Sequence, residues 1–262
     1  MVAHVTGSSA DLLQDLPSWV TRVLAPNPGP MTLDGTNTWV LRSPGGDAVV
    51  VDPGPLDEGH LAAVAAVGGI RTVITTHFHH DHTEGVARLL ELCPGAKLWQ
   101  PETDGALELD GLELRRIATP GHTADSITLI GGVGDERAVL TGDTILGRGT
   151  TVVAHPDGNL SDYLASLELL ELLGPLPVLP GHGPALTDCA AAAAFYLRHR
   201  LARLDQVRAA VAAGARTAGE VVAIVYADVD PVLWPAAESS VRAQLDYLER
   251  EANTGRSADG RA

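Results

Sequence analysis

Five histidines and two aspartates that could ligate a metal fall in four short segments of this chain, and each segment follows a short apolar run. The segments read T-H-F-H-H-D-H at 76–82, P-G-H-T at 120–123, G-D-T at 142–144 and P-G-H-G at 180–183. Loops at the ends of strands are held in a fixed geometry by a rigid scaffold. Imidazoles and carboxylates in this number can supply three ligands to each of two metal ions, with one carboxylate left to bridge them. The pattern therefore predicts a metallohydrolase.

The candidate metal ligands are His77, His79, Asp81, His82, His122, Asp143 and His182. The H-x-H pair can place two imidazoles on one ion, and the adjacent Asp81-His82 pair can turn towards a second ion. Imidazole and carboxylate ligands suit zinc, and also iron or manganese. Two such ions about 3.5–4 Å apart can share a water and lower its pKa towards neutrality. A lone histidine in a loop is usually only a polar surface residue, but the block at 77–82 is far more specific.

The composition excludes some classes of protein. With 262 residues and 45% hydrophobic residues, the chain can bury a substantial core, which excludes disorder. Its net charge of −15 disfavours polyphosphate backbones and anionic lipids, although a metal pair could still attract a phosphate. We see no run of about 18 apolar residues and no secretory signal, so we expect no membrane partner and a cytoplasmic location. Cys93 and Cys189, the only cysteines, are expected to be buried apolar residues.

Strands are predicted early in the chain and helices later. Apolar and β-branched runs predict strands at 38–41, 48–51, 71–76, 112–119, 126–130, 138–141 and 177–179. Helical spacing predicts helices at 60–67, 82–92, 160–173, 190–213, 217–226 and 234–251. This order favours sheets packed in the middle with helices outside.

The amino-acid composition changes near Thr187 and divides the chain into two parts. The segment that follows is rich in alanine and arginine, and Thr217-x-x-Glu220 is typical of a helix capping box. We therefore expect a catalytic domain at 1–187, a helical subdomain at 188–254 and a disordered tail at 255–262.

Together, the ligand segments resemble those of the metallo-β-lactamase-fold hydrolase superfamily. The resemblance implies an α/β fold, a four-layer αβ/βα sandwich with the metals at the edge of two sheets. Carried over by position, the ligand sets would be His77, His79 and His122 for the first metal and Asp81, His82 and His182 for the second, with Asp143 as the bridge. Asp52, in V-D-P-G, matches a position that supports the metal ligands by hydrogen bonding.

The bridging aspartate separates branches of this superfamily. True metallo-β-lactamases lack it, whereas glyoxalase II-like and RNase Z-like members have it, so antibiotic hydrolysis is not the expected native activity. The segments at 27–38 and 142–151 and the helical tail resemble the lactamase-beta-like branch. That branch includes an animal mitochondrial endoribonuclease, bacterial hydroxyacylglutathione hydrolase-like proteins and fungal thioesterases of polyketide pathways. It implies a winged-helix-like part at 190–250, and it is specific for fold and metals but not for substrate.

Several residues outside the ligand set have two interpretations. Asn37 and Thr151 are candidates for the lining of the substrate groove. His60 and His199 are expected on helix surfaces or satisfied by packing. One helix carries four arginines, which are Arg198, Arg200, Arg203 and Arg208. They could form a basic strip for RNA, but a solvated helix face is favoured because the whole protein is acidic.

Four functions follow from these features. The favoured one is hydrolysis of a thioester or related small-molecule ester at two zinc ions, with Asp81 as the ligand that orients the hydroxide. The alternative is an endoribonuclease for single-stranded RNA, but only 4% of the residues are aromatic and Lys97 is the only lysine. The presence of all three ligands of the second set disfavours a mononuclear iron oxygenase. The presence of all seven candidate metal ligands disfavours a non-enzymatic binding or regulatory module. The sequence leaves the natural substrate, the metal loaded in the cell and the oligomeric state open.

Overall fold

A computed structural model describes Leu12 and residues 14–100 and 104–259, and these residues contain two five-stranded sheets. The first sheet has the order β1-β2-β3-β4-β5, with bounds Val20–Leu24, Asn37–Arg42, Ala48–Val51, Ile70–Ile74 and Lys97–Leu98. The second has the order β10-β9-β8-β7-β6; in chain order, β6 to β10 are Gly105–Leu109, Leu112–Ala118, Ile127–Val133, Glu136–Gly142 and Val178–Pro180.

Helices cover the outer face of each sheet and form the C-terminal part. In chain order, α1 to α7 are Glu58–Ala66, His80–Thr83, Val86–Leu92, Leu160–Glu171, Cys189–Ala212, Ala218–Val225 and Trp234–Asp259, with a 3₁₀ turn at Pro231–Leu233. The capping box predicted at Thr217 and Glu220 is present at the start of α6. Among the described residues, no helix is long and apolar enough to cross a membrane.

Three apolar layers hold the sandwich together. Helices α1 and α3 pack on the first sheet through residues such as Leu61 and Leu89. Helices α4 and α5 pack on the second sheet, where Tyr163 and Tyr196 are fully buried. The layer between the sheets contains Trp39 from β2 among other side chains. The four-layer αβ/βα sandwich that the sequence implied is confirmed.

The burial pattern of each strand explains its position. All four residues of β3 are buried, as expected for a strand whose two faces are covered and which pairs in parallel with β4. Strand β7 instead alternates, with Leu112 and Leu114 buried and Glu113 and Arg115 not buried, in a sheet of mainly antiparallel pairs. The edge strands β1, β5 and β6 were not predicted individually; each is short or partly exposed, so its apolar pattern is weak.

The helix predicted at 82–92 is wrong in its extent, because the structure contains two helices, α2 and α3, on either side of Glu84-Gly85. The N–H of Gly85 donates to the carbonyl of Gly54 at 2.9 Å. A Cβ at this position would lie 2.7 Å from Cδ2 of Leu61. The close contact with the loop after β3 interrupts the helix, and this contact between distant segments is invisible in the helical pattern.

The C-terminal helices have an apolar cluster of their own, with Val207, Val221 and Val241 at its centre. Helix α5 belongs to both parts, since its first half packs on α4 and its second half on α6 and α7. The expected boundary at 187/188 falls just before α5 and stays a prediction. Helix α7 continues to Asp259, into the segment expected to be disordered, and residues 260–262 of that segment lie outside the described residues.

Replacing Gly121 by alanine should destabilise the protein, because α4 packs directly on the loop that precedes His122. Gly121 has a φ of +137°, and an added Cβ would lie 2.3 Å from Cα of Tyr163. Backbone atoms cannot move aside as a flexible side chain can, so the free energy of unfolding should fall by about 2–3 kcal/mol. Urea denaturation measures this value.

The control is Gly219→Ala, in α6, where an added Cβ meets nothing within 4 Å. This change should leave the stability unchanged or raise it by about 0.5 kcal/mol. A Gly121→Ala protein that unfolds at the same urea concentration as the unaltered protein would contradict the close packing of α4 on this loop.

Candidate metal centre

The carboxyl ends of five strands meet at one edge of the sandwich. In the first sheet, the parallel strands β3 and β4 lead to Asp52 and His77. In the second sheet, β7, β9 and β10 run in the same direction and lead to His122, Asp143 and His182. Because parallel strands end at the same edge, residues 45 to 130 positions apart are brought together from both sheets. All seven candidate ligands lie in this cluster.

The first predicted ligand set forms a compact group of three imidazoles. Nε2 of His77 lies 2.9 Å from Nδ1 of His79, and Nε2 of His122 lies 3.1 Å from the same Nδ1 atom. His77 and His122 are buried, while His79 is partly exposed. Their nitrogen atoms all lie within 4.8 Å of one another, which is close enough for a single ion.

The second predicted set converges in the same way. Nε2 of His82 lies 3.3 Å from Nε2 of His182, and Oδ2 of Asp81 lies 3.1 Å from Nε2 of His182. His82 and His182 are buried, whereas the Asp81 side chain is 28% exposed. Asp81 is therefore the ligand candidate of this set that solvent can reach.

Asp143 lies between the two sets. Its Oδ1 is 3.6 Å from Nε2 of His82, and its Oδ2 is 3.4 Å from Nε2 of His182 and 3.8 Å from Nε2 of His122. The same carboxylate thus approaches a nitrogen of each set. Oδ1 is buried and has no hydrogen-bond partner among the described residues, which is costly for an anionic oxygen unless a cation offsets it.

Burial and charge act in opposite directions on the ionisable groups of this cluster. Burial, reinforced by neighbouring histidines, holds the pKa of His77 well below its usual value, and burial also lowers the pKa of His122. Burial lowers the pKa of His182 too, but Asp143 and Asp81 outweigh it and raise that pKa to about 11. Burial raises the pKa of Asp143, but His182 and His82 outweigh it and hold the value well below the usual range. The carboxylates are therefore ionised at neutral pH.

Asp52 orients two of the ligands. Its Oδ1 accepts the backbone N–H of Thr76 at 2.7 Å, and its Oδ2 accepts the Thr76 hydroxyl at 2.7 Å and the Nδ1–H of His82 at 2.8 Å. Since the Thr76 hydroxyl donates to Asp52, its oxygen accepts from Nδ1 of His77 at 3.1 Å. Asp52 has a φ of 52°, an uncommon value for a residue other than glycine. The supporting role expected for Asp52 agrees with these contacts.

Two more of the histidines, His122 and His182, are held through the same ring nitrogen. Nδ1 of His122 donates to the carbonyl of Val152 at 2.6 Å, and Nδ1 of His182 donates to the carbonyl of Gly35 at 3.2 Å. When Nδ1 carries the proton, Nε2 of the neutral ring is left as a lone-pair donor that faces the cluster. Partners of this kind fix both the tautomer and the orientation of metal-ligating histidines.

The donor set fits a pair of metal ions. Ligand nitrogens about 2.0–2.1 Å from a tetrahedral zinc ion are about 3.3 Å from one another. The separations between facing nitrogens in the two sets, 2.9, 3.1 and 3.3 Å, are at or slightly below this value. Five imidazoles and two carboxylates suit zinc, iron or manganese. The residues present could therefore bind metal.

A cavity of about 290 Å³ opens onto the cluster at His122 and Asp143. Much of its wall is apolar, with Met31, Leu146 and Leu233 among the lining residues. The wall opposite the sheets comes from α5, α7 and the segment around Tyr226. Cavities of this size typically hold small molecules.

The arginine-rich helix differs from the prediction in one respect. Arg198 is exposed and Arg203 half-buried, but Arg200 is only 3% exposed and lines the cavity, so a solvated face is wrong for this residue. Arg200 lies on the same stripe of α5 as Tyr196 and Leu204, which are also buried. Arg200 is four residues from each of these two side chains, so the helical spacing alone predicts that it lies on the same buried face of α5.

Of three other residues singled out in the sequence, Asn37 lies away from the cavity, whereas Thr151 and His60 lie as expected. Asn37 is fully buried and does not line the cavity; its Nδ2 donates to the carbonyls of Pro180 and Gly183 at 2.9 and 2.8 Å. Thr151 does line the cavity, and its Oγ1 lies 3.2 Å from Nδ1 of His122. His60 is satisfied by packing, with Nε2 2.9 Å from Oγ1 of Thr38.

Two buried tyrosines, Tyr163 and Tyr196, were not singled out by the sequence. Tyr163 donates its hydroxyl to the carbonyl of Thr144 at 2.7 Å, and the Tyr196 hydroxyl accepts the N–H of Leu146 at 2.9 Å. Both contacts hold the turn that follows Asp143. A lone tyrosine in a helical pattern gives no signal for such a role.

Replacing Asp52 by asparagine should weaken metal binding without removing a ligand. An amide group would direct N–H atoms at partners that themselves donate, so His77 and His82 would lose their fixed orientation. Changes of this kind typically lower metal affinity by about 10–100-fold. Competition with a chromophoric zinc chelator measures the affinity. Asp135→Asn, in the exposed turn between β8 and β9, is the matched control, and equal affinities for the two variants would refute the orienting role of Asp52.

Comparisons with known proteins identify the family to which the chain belongs. The profile of the metallo-beta-lactamase superfamily matches residues 31–114 and 94–182, and that of the beta-lactamase associated winged helix domain matches residues 217–261. A beta-lactamase-like protein 2 homolog of Caenorhabditis elegans is 32% identical over 260 residues, which are 90% of this chain and 86% of that protein. An atrochrysone carboxyl ACP thioesterase of Aspergillus chevalieri is 36% identical over 208 residues, which are 73% of this chain and 65% of that protein.

One solved structure is similar to this protein over nearly the whole fold. The crystal structure of a beta-lactamase domain protein from Burkholderia ambifaria matches with a TM-score of 0.74, covering 95% of this chain and 90% of that chain at 22% identity. The superfamily profile spans more than half of the chain and includes every candidate ligand. The chain belongs to the metallo-beta-lactamase superfamily and carries a winged-helix domain at its C-terminal end.

Proposed function

We propose that this protein is a dinuclear metal-dependent hydrolase that acts on a thioester or a related small-molecule ester. The observation that carries the proposal is the pair of three-ligand sets with Asp143 between them. In this proposal the ligands are His77, His79 and His122 for one ion and Asp81, His82 and His182 for the other, with Asp143 as the bridge. Two zinc ions are the expected cofactor, and iron or manganese would suit the same ligands.

A pair of bound metal ions supplies Lewis acidity and lowers the pKa of water to near neutrality. The side chains of the protein orient the attacking water. Burial raises the pKa of Asp81, but His182 outweighs it and lowers the pKa, so this carboxylate is ionised and can orient the attacking water. In the reaction, the water oxygen bonds to the acyl carbon and the carbon–sulfur bond breaks. The products are a carboxylate, a thiol and a proton.

Three observations support a small acyl substrate over RNA. The cavity of about 290 Å³ is the size of a small-molecule site and has largely apolar walls. Tyr226 is the only aromatic side chain that lines the described cavity, whereas single-stranded RNA is usually gripped by stacking on several aromatic rings. Relatives at 35–36% identity are named as acyl carrier protein thioesterases.

Zinc-loaded protein should hydrolyse acyl thioesters and leave single-stranded RNA intact. An Asp143→Ala variant should lose at least about 100-fold in kcat, because the charge between the two ligand sets is removed. Release of free thiol from an acyl-thioester panel and electrophoresis of a labelled RNA measure the two activities side by side. Asp135→Ala, in the exposed β8–β9 turn, serves as the control and should retain full activity. RNA cleavage that disappears in Asp143→Ala, without thioester turnover, would overturn the proposal in favour of an endoribonuclease.

Removal of metal should also lower the thermal stability. Ligands that bind only the folded state add about 4 kcal/mol when present at 1,000 times their dissociation constant, which corresponds to about 8–16 °C for a chain of this size. Differential scanning calorimetry with and without a strong chelator measures the shift in Tm. The Asp143→Ala variant should show a much smaller shift, and an equally large one would contradict metal binding at this cluster.

A further inference from the structure

Arg200 is a buried cation without an acidic partner. Its side chain, on α5, is 3% exposed, and no carboxylate in the described part of the chain forms an ion pair with it. One terminal nitrogen donates to the carbonyl of Thr151, and the guanidinium lies 5.3 Å from the ring centre of Tyr163. Its Nε is buried and has no partner among the described residues. A buried charge left in this state is costly unless an anion offsets it.

Arg203, one turn further along α5 and half-buried, is a second cation without an acidic partner. Its guanidinium covers the ring of Tyr226 at 4.5 Å and donates to the carbonyl of Val225 and to Gln206, both at 2.8 Å. No carboxylate in the described ranges pairs with it either. By contrast, Arg148 at the same cavity forms an ion pair with Asp34 at 2.8 Å. In a chain with a net charge of −15, two neighbouring arginines free of acidic partners form a distinct positive site.

Both arginines line the cavity that reaches the ligand cluster. Arg200 contacts Thr151, and Thr151 contacts His122, so the positive site lies one residue away from a candidate metal ligand. His199, between them in sequence, does not add to the charge, because burial and the two arginines lower its pKa to about 4. A molecule in the cavity would therefore meet the ligand cluster at one end and two guanidinium groups on the wall.

We propose that Arg200 and Arg203 form an anion subsite that binds a carboxylate on the acyl group of the substrate. This inference rests on the proposed thioester hydrolysis and narrows its substrates to thioesters of acids with a second carboxylate. The planar guanidinium is well suited to a carboxylate, with two parallel hydrogen bonds. A cavity of this size with two cations at one place fits one terminal anion. It does not fit a nucleic acid backbone, which needs charge along a groove.

The test compares two substrates of nearly the same size that differ in this charge. They are the N-acetylcysteamine thioester of adipic acid and the same thioester with its far carboxylate replaced by a primary amide. Zinc-loaded protein should show a kcat/KM at least about tenfold higher for the carboxylate form. Arg203→Gln should remove most of this preference through KM, while turnover of the amide form changes by no more than about twofold.

Two further variants keep the test decisive. Arg200→Lys retains the buried charge but not the planar guanidinium group. The ratio of kcat/KM for the carboxylate substrate to kcat/KM for the neutral substrate should fall by about tenfold. Arg198→Gln, on the exposed face of the same helix, is the matched control and should behave as the unaltered protein does. Equal losses on both substrates in Arg203→Gln and Arg200→Lys would mean that the arginines only support the structure. This result would overturn the subsite.

A binding measurement separates this inference from the proposed function. Adipate should bind to the full-length protein in calorimetric titrations with and without added zinc, and Arg203→Gln should weaken that binding by about tenfold. If no thioester is hydrolysed but adipate still binds in this way, the subsite stands and the proposed reaction fails. If thioesters are hydrolysed and adipate binding does not depend on Arg203, the subsite fails alone. Binding of single-stranded RNA that depends on Arg203, without adipate binding, would also overturn it.

Discussion

Two side chains of β2 reach the other sheet and hold together the edge at which the ligands lie. The indole Nε1–H of Trp39 and the side-chain amide of Asn37 both donate to the carbonyl of Pro180, at the end of β10. Asn37 also donates to Gly183, so it spans the turn that contains His182. Buried hydrogen bonds of this kind are costly to break, because each leaves an unsatisfied partner. The position of His182 relative to the first sheet follows from these contacts, and the convergence of the two ligand sets follows from that position.

The two halves of the site differ in the charges around their histidines, and therefore in the pKa values of these histidines. In the half with His77 and His122, burial favours the neutral imidazole, which is the form that ligates a metal. In the other half, Asp143 and Asp81 raise the pKa of His182, so protons compete with metal ions for this ring. Metal binding at the second half should therefore depend more strongly on pH than binding at the first. The asymmetry arises from the position of the carboxylates, since both halves are largely buried.

The sequence located the candidate ligands of the site better than the walls of the cavity. The H-x-H-x-D-H block and the three later segments stand directly after strands, so local pattern was enough to find all seven candidate ligands. The break between α2 and α3 was not predictable, because it depends on the contact of Gly85 with Gly54, in a loop 31 residues away. Asn37 was assigned to the groove for a similar reason: its partners are more than 140 positions distant. The buried position of Arg200, however, was present in the helical spacing and was obscured by its charge.

The short segment at 151–153 serves the two domains at once. The carbonyl of Val152 accepts from His122, whereas the carbonyl of Thr151 accepts from Arg200, and the N–H of Val153 donates to Ser240 on α7. One stretch of backbone thus joins the edge that carries the candidate ligands to the C-terminal helices. A change of Arg200 or Ser240 is therefore expected to disturb the backbone that orients His122. Side chains of the cavity wall that make none of these contacts can be changed without this effect.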